Sequence, residues 1–146
     1  MERAEDPKFN KWNEYLASEL TASETYRQAG ERVQDEIVQE QFRQCENSHR
    51  HRAEKLQGGL QDLGVEPGMQ PQTWNSFASL LAEGIFKDKD AVQLLDQEEE
   101  LGLKMYQNDR AQLEEHDPLR HLLNDTLLPE QSTTHDALSI LRLSLH

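Results

Sequence analysis

Apolar residues return along this chain at three- and four-residue steps in four long stretches, the spacing of helices with one buried side. The first stretch opens at Asp6-Pro7, a cap followed by a proline suited to the first helical position. It carries Trp12, Tyr15, Leu16, Leu20, Ala22, Tyr26, Ala29 and Val33, and Gly30 is expected to end or loosen it. After a short connection with Asp35 as N-cap, the second carries Phe42, Cys45, Ala53, Leu56, Leu60 and Leu63; Gly64 closes it and Pro67 blocks continuation. The third, capped by Asp88 or Asp90, carries Val92, Leu95, Gly102, Met105, Tyr106 and Leu113. The fourth opens at Asp117-Pro118 and carries Leu119, Leu122, Leu123, Leu127, Leu138, Leu141 and Leu145, with Pro129 predicted to kink it near Asp125 or Thr126, or to split it. Between the second and third, about residues 65–88, lies a Pro- and Gly-containing crossover with a short helix of its own, capped by Thr73, carrying Trp74, Phe77, Leu80 and Leu81 and stopped by Gly84. Two long helices joined by a few residues pack as a hairpin. The pattern therefore predicts an all-α fold: one domain over 1–146, an antiparallel four-helix bundle of two hairpins joined by the crossover.

Some charged residues break the pattern by facing inward. Glu19 lies within about 40° of Trp12, as do Leu16, Ser23 and Tyr26, at roughly 100° per residue. Glu99 sits among Leu95, Gly102 and Tyr106. Glu46 and His49, three residues apart, leave the second helix from one face, and that face is predicted to be buried. A lone buried carboxylate is costly, so each must be paired, protonated or bound to a metal. An internal repeat ties them together. Glu19 precedes Tyr26 by seven residues, as Glu99 precedes Tyr106; Glu46-x-x-His49 is matched by Ser132-x-x-His135 with its Glu missing.

Composition narrows the partners. With 15 Lys and Arg against 28 Asp and Glu, the net charge is −13, which argues against nucleic acid or an anionic membrane surface. No apolar run approaches the roughly 20 residues of a membrane span, and Met1-Glu2-Arg3-Ala4-Glu5-Asp6 lacks the apolar segment of a signal peptide. The single Cys45 forms no internal disulfide and reads as a small core residue. A cytoplasmic, bacterial-type protein is the expectation.

One Glu from each of two helices with Glu-x-x-His from each of the other two is the dinuclear carboxylate pattern of ferritin-like bundles. Glu19-Leu20-Thr21-Ala22-Ser23-Glu24-Thr25-Tyr26 resembles the first-helix motif of bacterioferritins, Glu46-Asn47-Ser48-His49 their second, and Glu99-Glu100-Leu101-Gly102-Leu103-Lys104-Met105-Tyr106 their third. The likeness covers nearly the whole chain, and the chain is most similar to small bacterial ferritin-like proteins whose function the resemblance does not settle. It implies metal ligands at Glu19, Glu46, His49, Glu99 and His135, with Tyr26, Tyr106 and Gln131 around them. The cofactor it implies is iron or manganese, one or two ions per chain, with oxygen or peroxide handling as the associated chemistry. Ser132 stands where the pattern wants a bridging glutamate, which impairs the second metal position. The alternative is a degenerate ferritin-like bundle without metal, acting as a stress-related interaction or scaffold protein. In that case Glu46 and His49 form a core ion pair or hydrogen-bonded pair with Arg52 or Tyr106, and the tyrosine hydroxyls bond to glutamates. Bundles of this kind commonly self-associate, and a homodimer is expected.

Overall fold

Asp6 caps a single 3-10 turn, Pro7–Phe9, by accepting the Lys8 backbone N–H at 3.1 Å. The chain then enters α1, Asn10–Arg32, running through Gly30 to a stop at extended Val33. The computed structural model describes residues 6–67, 78, 82 and 87–145. Asp35 caps α2, Glu36–Asp62, accepting from the N–H groups of Ile37 (2.8 Å) and Val38 (3.2 Å). At its far end Gly64 takes a φ of +77°, and the Val65 N–H reaches back to the Leu60 carbonyl at 2.9 Å. This is the left-handed closure that glycine permits, and Val65 folds onto the core behind it.

The third helix, α3, spans Asp88–Gln112 and has Lys87, not an aspartate, at its N-cap. Asp88 serves another element: its carboxylate accepts the N–H groups of Gln34 (3.0 Å) and Asp35 (2.8 Å), tying the α1–α2 connection to the start of α3. The fourth rod opens with α4, Pro118–Leu122, capped by Asp117, and continues through a π turn, Leu123–Leu127, into α5, Leu128–Ser144. It is not split. Pro129 has no N–H and its ring crowds the carbonyl four residues back. The widened turn before it, in which the Leu128 N–H bonds to the Leu123 carbonyl, accommodates the ring. The crossover helix expected around Thr73, Trp74, Phe77, Leu80, Leu81 and Gly84 lies outside the described residues.

The four rods pack together, α1 chiefly along α2 and α3 along α5, with α2 also against α5. Their apolar faces meet in two separate clusters. At one end Trp12, Leu16, Leu56, Leu60, Leu123 and Leu127 are buried; at the other Val38, Phe42, Val92, Leu95 and Leu138. Between the clusters the core is polar. No described helix is long and apolar enough to cross a membrane.

Candidate functional site

The polar layer is built from all four rods. α1 contributes Glu19, α2 His49 and Arg52, α3 Glu99, and α5 Gln131 and Thr134; all are buried. His49 sits at the centre. Its Nδ1 is 2.9 Å from Glu19 Oε2 and its Nε2 is 2.6 Å from Glu99 Oε1, so one ring is clamped between two carboxylates. The same two carboxylates are also held reciprocally by tyrosines. Tyr106 of α3 donates to Glu19 Oε1 at 2.8 Å, and Tyr26 of α1 donates to Glu99 Oε1 at 2.7 Å. The seven-residue Glu–Tyr repeat thus becomes a crossed pair, each tyrosine serving the other helix's glutamate. Tyr26 also lies stacked on His49, with centroids 5.4 Å apart.

Arg52, fully buried, closes the layer. Its Nη1 donates to Gln131 Oε1, its Nη2 to Thr134 Oγ1 (2.9 Å) and Ser48 Oγ (3.1 Å), and its Nε lies 3.5 Å from Glu19 Oε2 without a hydrogen bond. Gln131 spends both amide hydrogens on Glu99, at its carbonyl and at Oε2, both 2.8 Å. Thr134 donates to Glu99 Oε2 at 2.6 Å. Room for Gln131 comes from Gly102: a Cβ there would lie 2.8 Å from the amide nitrogen.

Charge follows from this geometry. Burial alone pulls the His49 imidazole toward neutrality, but the Glu99 charge, joined by Glu19, outweighs it and holds the ring above its ordinary value of 6.5. Burial likewise pushes Glu99 up, yet the His49 charge and hydrogen bond, with Arg52 and Thr134 behind them, bring it to about 2. Both tyrosines are raised, by burial first and then by the carboxylates they serve, and stay neutral donors. Burial and the Glu99 charge push the Cys45 thiol to about 12, so it is an inert core thiol. Two carboxyl groups, Glu19 and Glu99, thus face one imidazole and one guanidinium within the layer.

Of the residues singled out from sequence, Glu19, His49, Glu99, Tyr26, Tyr106 and Gln131 come together here. Glu46 and His135 do not. Glu46 is half-buried in an ion pair with Arg50; the inward stripe of α2 runs on the other side of His49, through Arg52. His135 is half-buried on the α3 side, 3.4 Å from Ser139 Oγ and 3.7 Å from Asp96. Ser132 is exposed. On α5 the inward pair is Gln131 and Thr134, one position earlier than Ser132 and His135. Counted at about 100° per residue from the buried Leu119, Leu123 and Leu127, Thr134 falls on the inward side and Ser132 opposite it. Thr134 gave no sequence signal, being one of two adjacent threonines beside the Ser132 and His135 that the repeat singled out. Glu130 accepts from His51 and Ser48 at the surface.

The donor set in this arrangement does not fit a divalent ion. Both ring nitrogens of His49 are engaged by carboxylates, and a guanidinium stands beside Glu19 where a second cation would be repelled. Among the described residues no group of three or more His, Cys, Asp or Glu side chains is disposed to hold a metal. A cavity of about 160 Å3 opens between α1 and α3 onto Glu19 and His49, with Ser18, Ala22 and Glu98 among its walls. Compared with known proteins, the chain matches no family model, no curated protein and no solved structure.

Proposed function

We propose that this chain is a ferritin-like antiparallel bundle whose central carboxylates are neutralised by its own side chains, and that it works as a metal-free interaction or scaffold bundle. The antiparallel arrangement is supported by the order of the α1–α3 pairings: Tyr15 with Asp109, Glu19 with Tyr106, Tyr26 with Glu99 and Gln34 with Asp88. The observation that carries the functional reading is Arg52, a guanidinium with no exposure set among Glu19, Gln131 and Thr134. A carboxylate layer built for divalent metal has no use for a resident cation at its centre, because the two charges compete for one place. The imidazolium form of His49 completes the neutrality and leaves no ring nitrogen for coordination.

The competing reading is a core centre for iron or manganese on Glu19, Glu46, His49, Glu99 and His135. It requires His49 to release a carboxylate and Glu46 to leave Arg50. Metal analysis of protein purified without added metal, followed by calorimetric titration with ferrous iron, manganese and zinc, separates the two. The expected result is no stoichiometric metal and no saturable heat. A tightly bound equivalent of metal that is lost in Glu19→Ala or Glu46→Ala overturns the proposal in favour of the metal centre.

A further inference from the structure

A second cavity, of about 350 Å3, lies at the Trp12 end of the bundle, between the last turns of α2 and the start of the fourth rod. That volume is at the lower end of the roughly 300–1,000 Å3 of small-molecule clefts. Its floor includes Trp12, whose ring packs so closely on Gly59 that a Cβ there would lie 2.5 Å from it. In the antiparallel order proposed for the bundle, Phe42 lies at the Leu138 end and Leu60 at the Leu123 end. Lys55, the first α2 residue of the wall, therefore falls toward Asp125 and Thr126 of the π turn, and Leu63, the last, toward Pro118 and Leu122.

The cleft thus has a polar end and an apolar end. At the polar end an ammonium and a carboxylate stand on opposite walls, Lys55 on α2 and Asp125 on the π turn, with Thr126 next to Asp125. No ion pair or hydrogen bond joins the side chain of Lys55 or Asp125 to another described residue. Opposite charges left unpaired across a cleft suit a molecule that carries both signs, a carboxylate for Lys55 and an ammonium for Asp125. Such a molecule is neutral as a whole, so the net charge of −13 neither draws nor repels it. At the apolar end Leu63, Leu122 and Pro118 continue the Trp12 floor, and an aromatic group there can meet the indole edge to face. Asp62 and His121, both exposed, flank that end as a second pair of walls. Lys55 and Asp62 are seven residues apart, about 10 Å along the helix, so a head group with both charges on one carbon engages one pair only. The hydroxyl of Thr126 beside Asp125, and the apolar surface beyond it, favour the Lys55 end.

We propose that this cleft binds an α-amino acid with an aromatic side chain, its ammonium on Asp125 and Thr126, its carboxylate on Lys55 and its ring on Trp12 and Leu122. The site goes beyond the metal-free reading and shares no side chain with the polar layer, so the two stand or fall separately.

Calorimetry with L-phenylalanine tests it, beside phenethylamine, which lacks the carboxylate, and hydrocinnamate, which lacks the ammonium. One equivalent of saturable binding is expected for phenylalanine, with each one-charge probe weaker by about tenfold or more. Lys55→Gln and Asp125→Asn are exposed changes clear of the core. Each is expected to weaken phenylalanine binding about tenfold while leaving the melting temperature in place. Absence of saturable phenylalanine binding, equal binding of either one-charge probe, or binding unchanged in either variant overturns the proposal and leaves the metal-free reading standing.

Discussion

His49 concentrates the energetics of the molecule in one ring. Its folded pKa is raised, so its contribution is complete below the unfolded value near 6.5 and is lost as pH rises through the folded value. Glu99 is lowered from 4.5 to about 2, so its contribution is complete above 4.5 and is lost as pH falls toward 2. Thermal stability should therefore be greatest between about pH 4.5 and 6.5. His49→Gln should flatten the alkaline decline; melting temperatures across a pH series check this. Arg52 and Arg50 make a second comparison. Both face a glutamate, but Arg52 is fully buried and the Arg50 side chain is half exposed. Arg52→Ala removes the guanidinium from beside Glu19, Gln131 and Thr134 and is expected to cost about 3–5 kcal/mol. Arg50→Ala is expected to cost about 0.5 kcal/mol. Urea unfolding of the two variants measures the contrast.

At the scale of elements, two adjacent glycines in α2 should respond with opposite signs. A Cβ on Gly58 meets nothing within 4 Å, whereas one on Gly59 would lie 2.5 Å from the buried Trp12 ring. Gly58→Ala should stabilise by about 0.5–1 kcal/mol through helix propensity. Gly59→Ala should destabilise by about 1–3 kcal/mol, because a rigid indole must move; thermal melts of the pair decide. The π turn makes a further prediction. Since Ser132 is exposed on the helix that follows it, Ser132→Glu adds a carboxylate to the surface and not to the core. The variant should change stability by no more than about 0.5 kcal/mol and gain no manganese affinity by calorimetry.

Among the described residues the molecule has two apolar clusters with a polar layer between them, in a chain of net charge −13. The side chains of the layer are buried, whereas the surface charges meet salt directly. Raising sodium chloride from about 20 to 200 mM shortens the Debye length from roughly 20 Å to below 10 Å. The melting temperature should rise as self-repulsion across the net charge of −13 is screened. A melting temperature that falls with salt would mean that surface ion pairs such as Arg27 with Glu24 and Glu31 outweigh the repulsion.

Sequence alone determined the helices, the caps at Asp6, Asp35 and Asp117, the glycine closure at Gly64 and the inward direction of Glu19, Glu99, Tyr26 and Tyr106. These follow from local rules: the period of a helix and the hydrogen-bonding needs of its ends. Tertiary structure decided which charges share the core. On α2 the choice between Glu46 and Arg52 as companion to His49 turns on about 60° of rotation, which the local apolar pattern does not resolve. On α5 the choice between Ser132-His135 and Gln131-Thr134 is one of about 100° of helical phase, set by how the rod packs on its neighbours. Asp88 looked like a helix cap and proved to be a clasp on a distant loop, a role visible only once Gln34 and Asp35 are beside it. Burial makes charge balance a property of the assembled layer, and no single helix carries that balance within its own sequence.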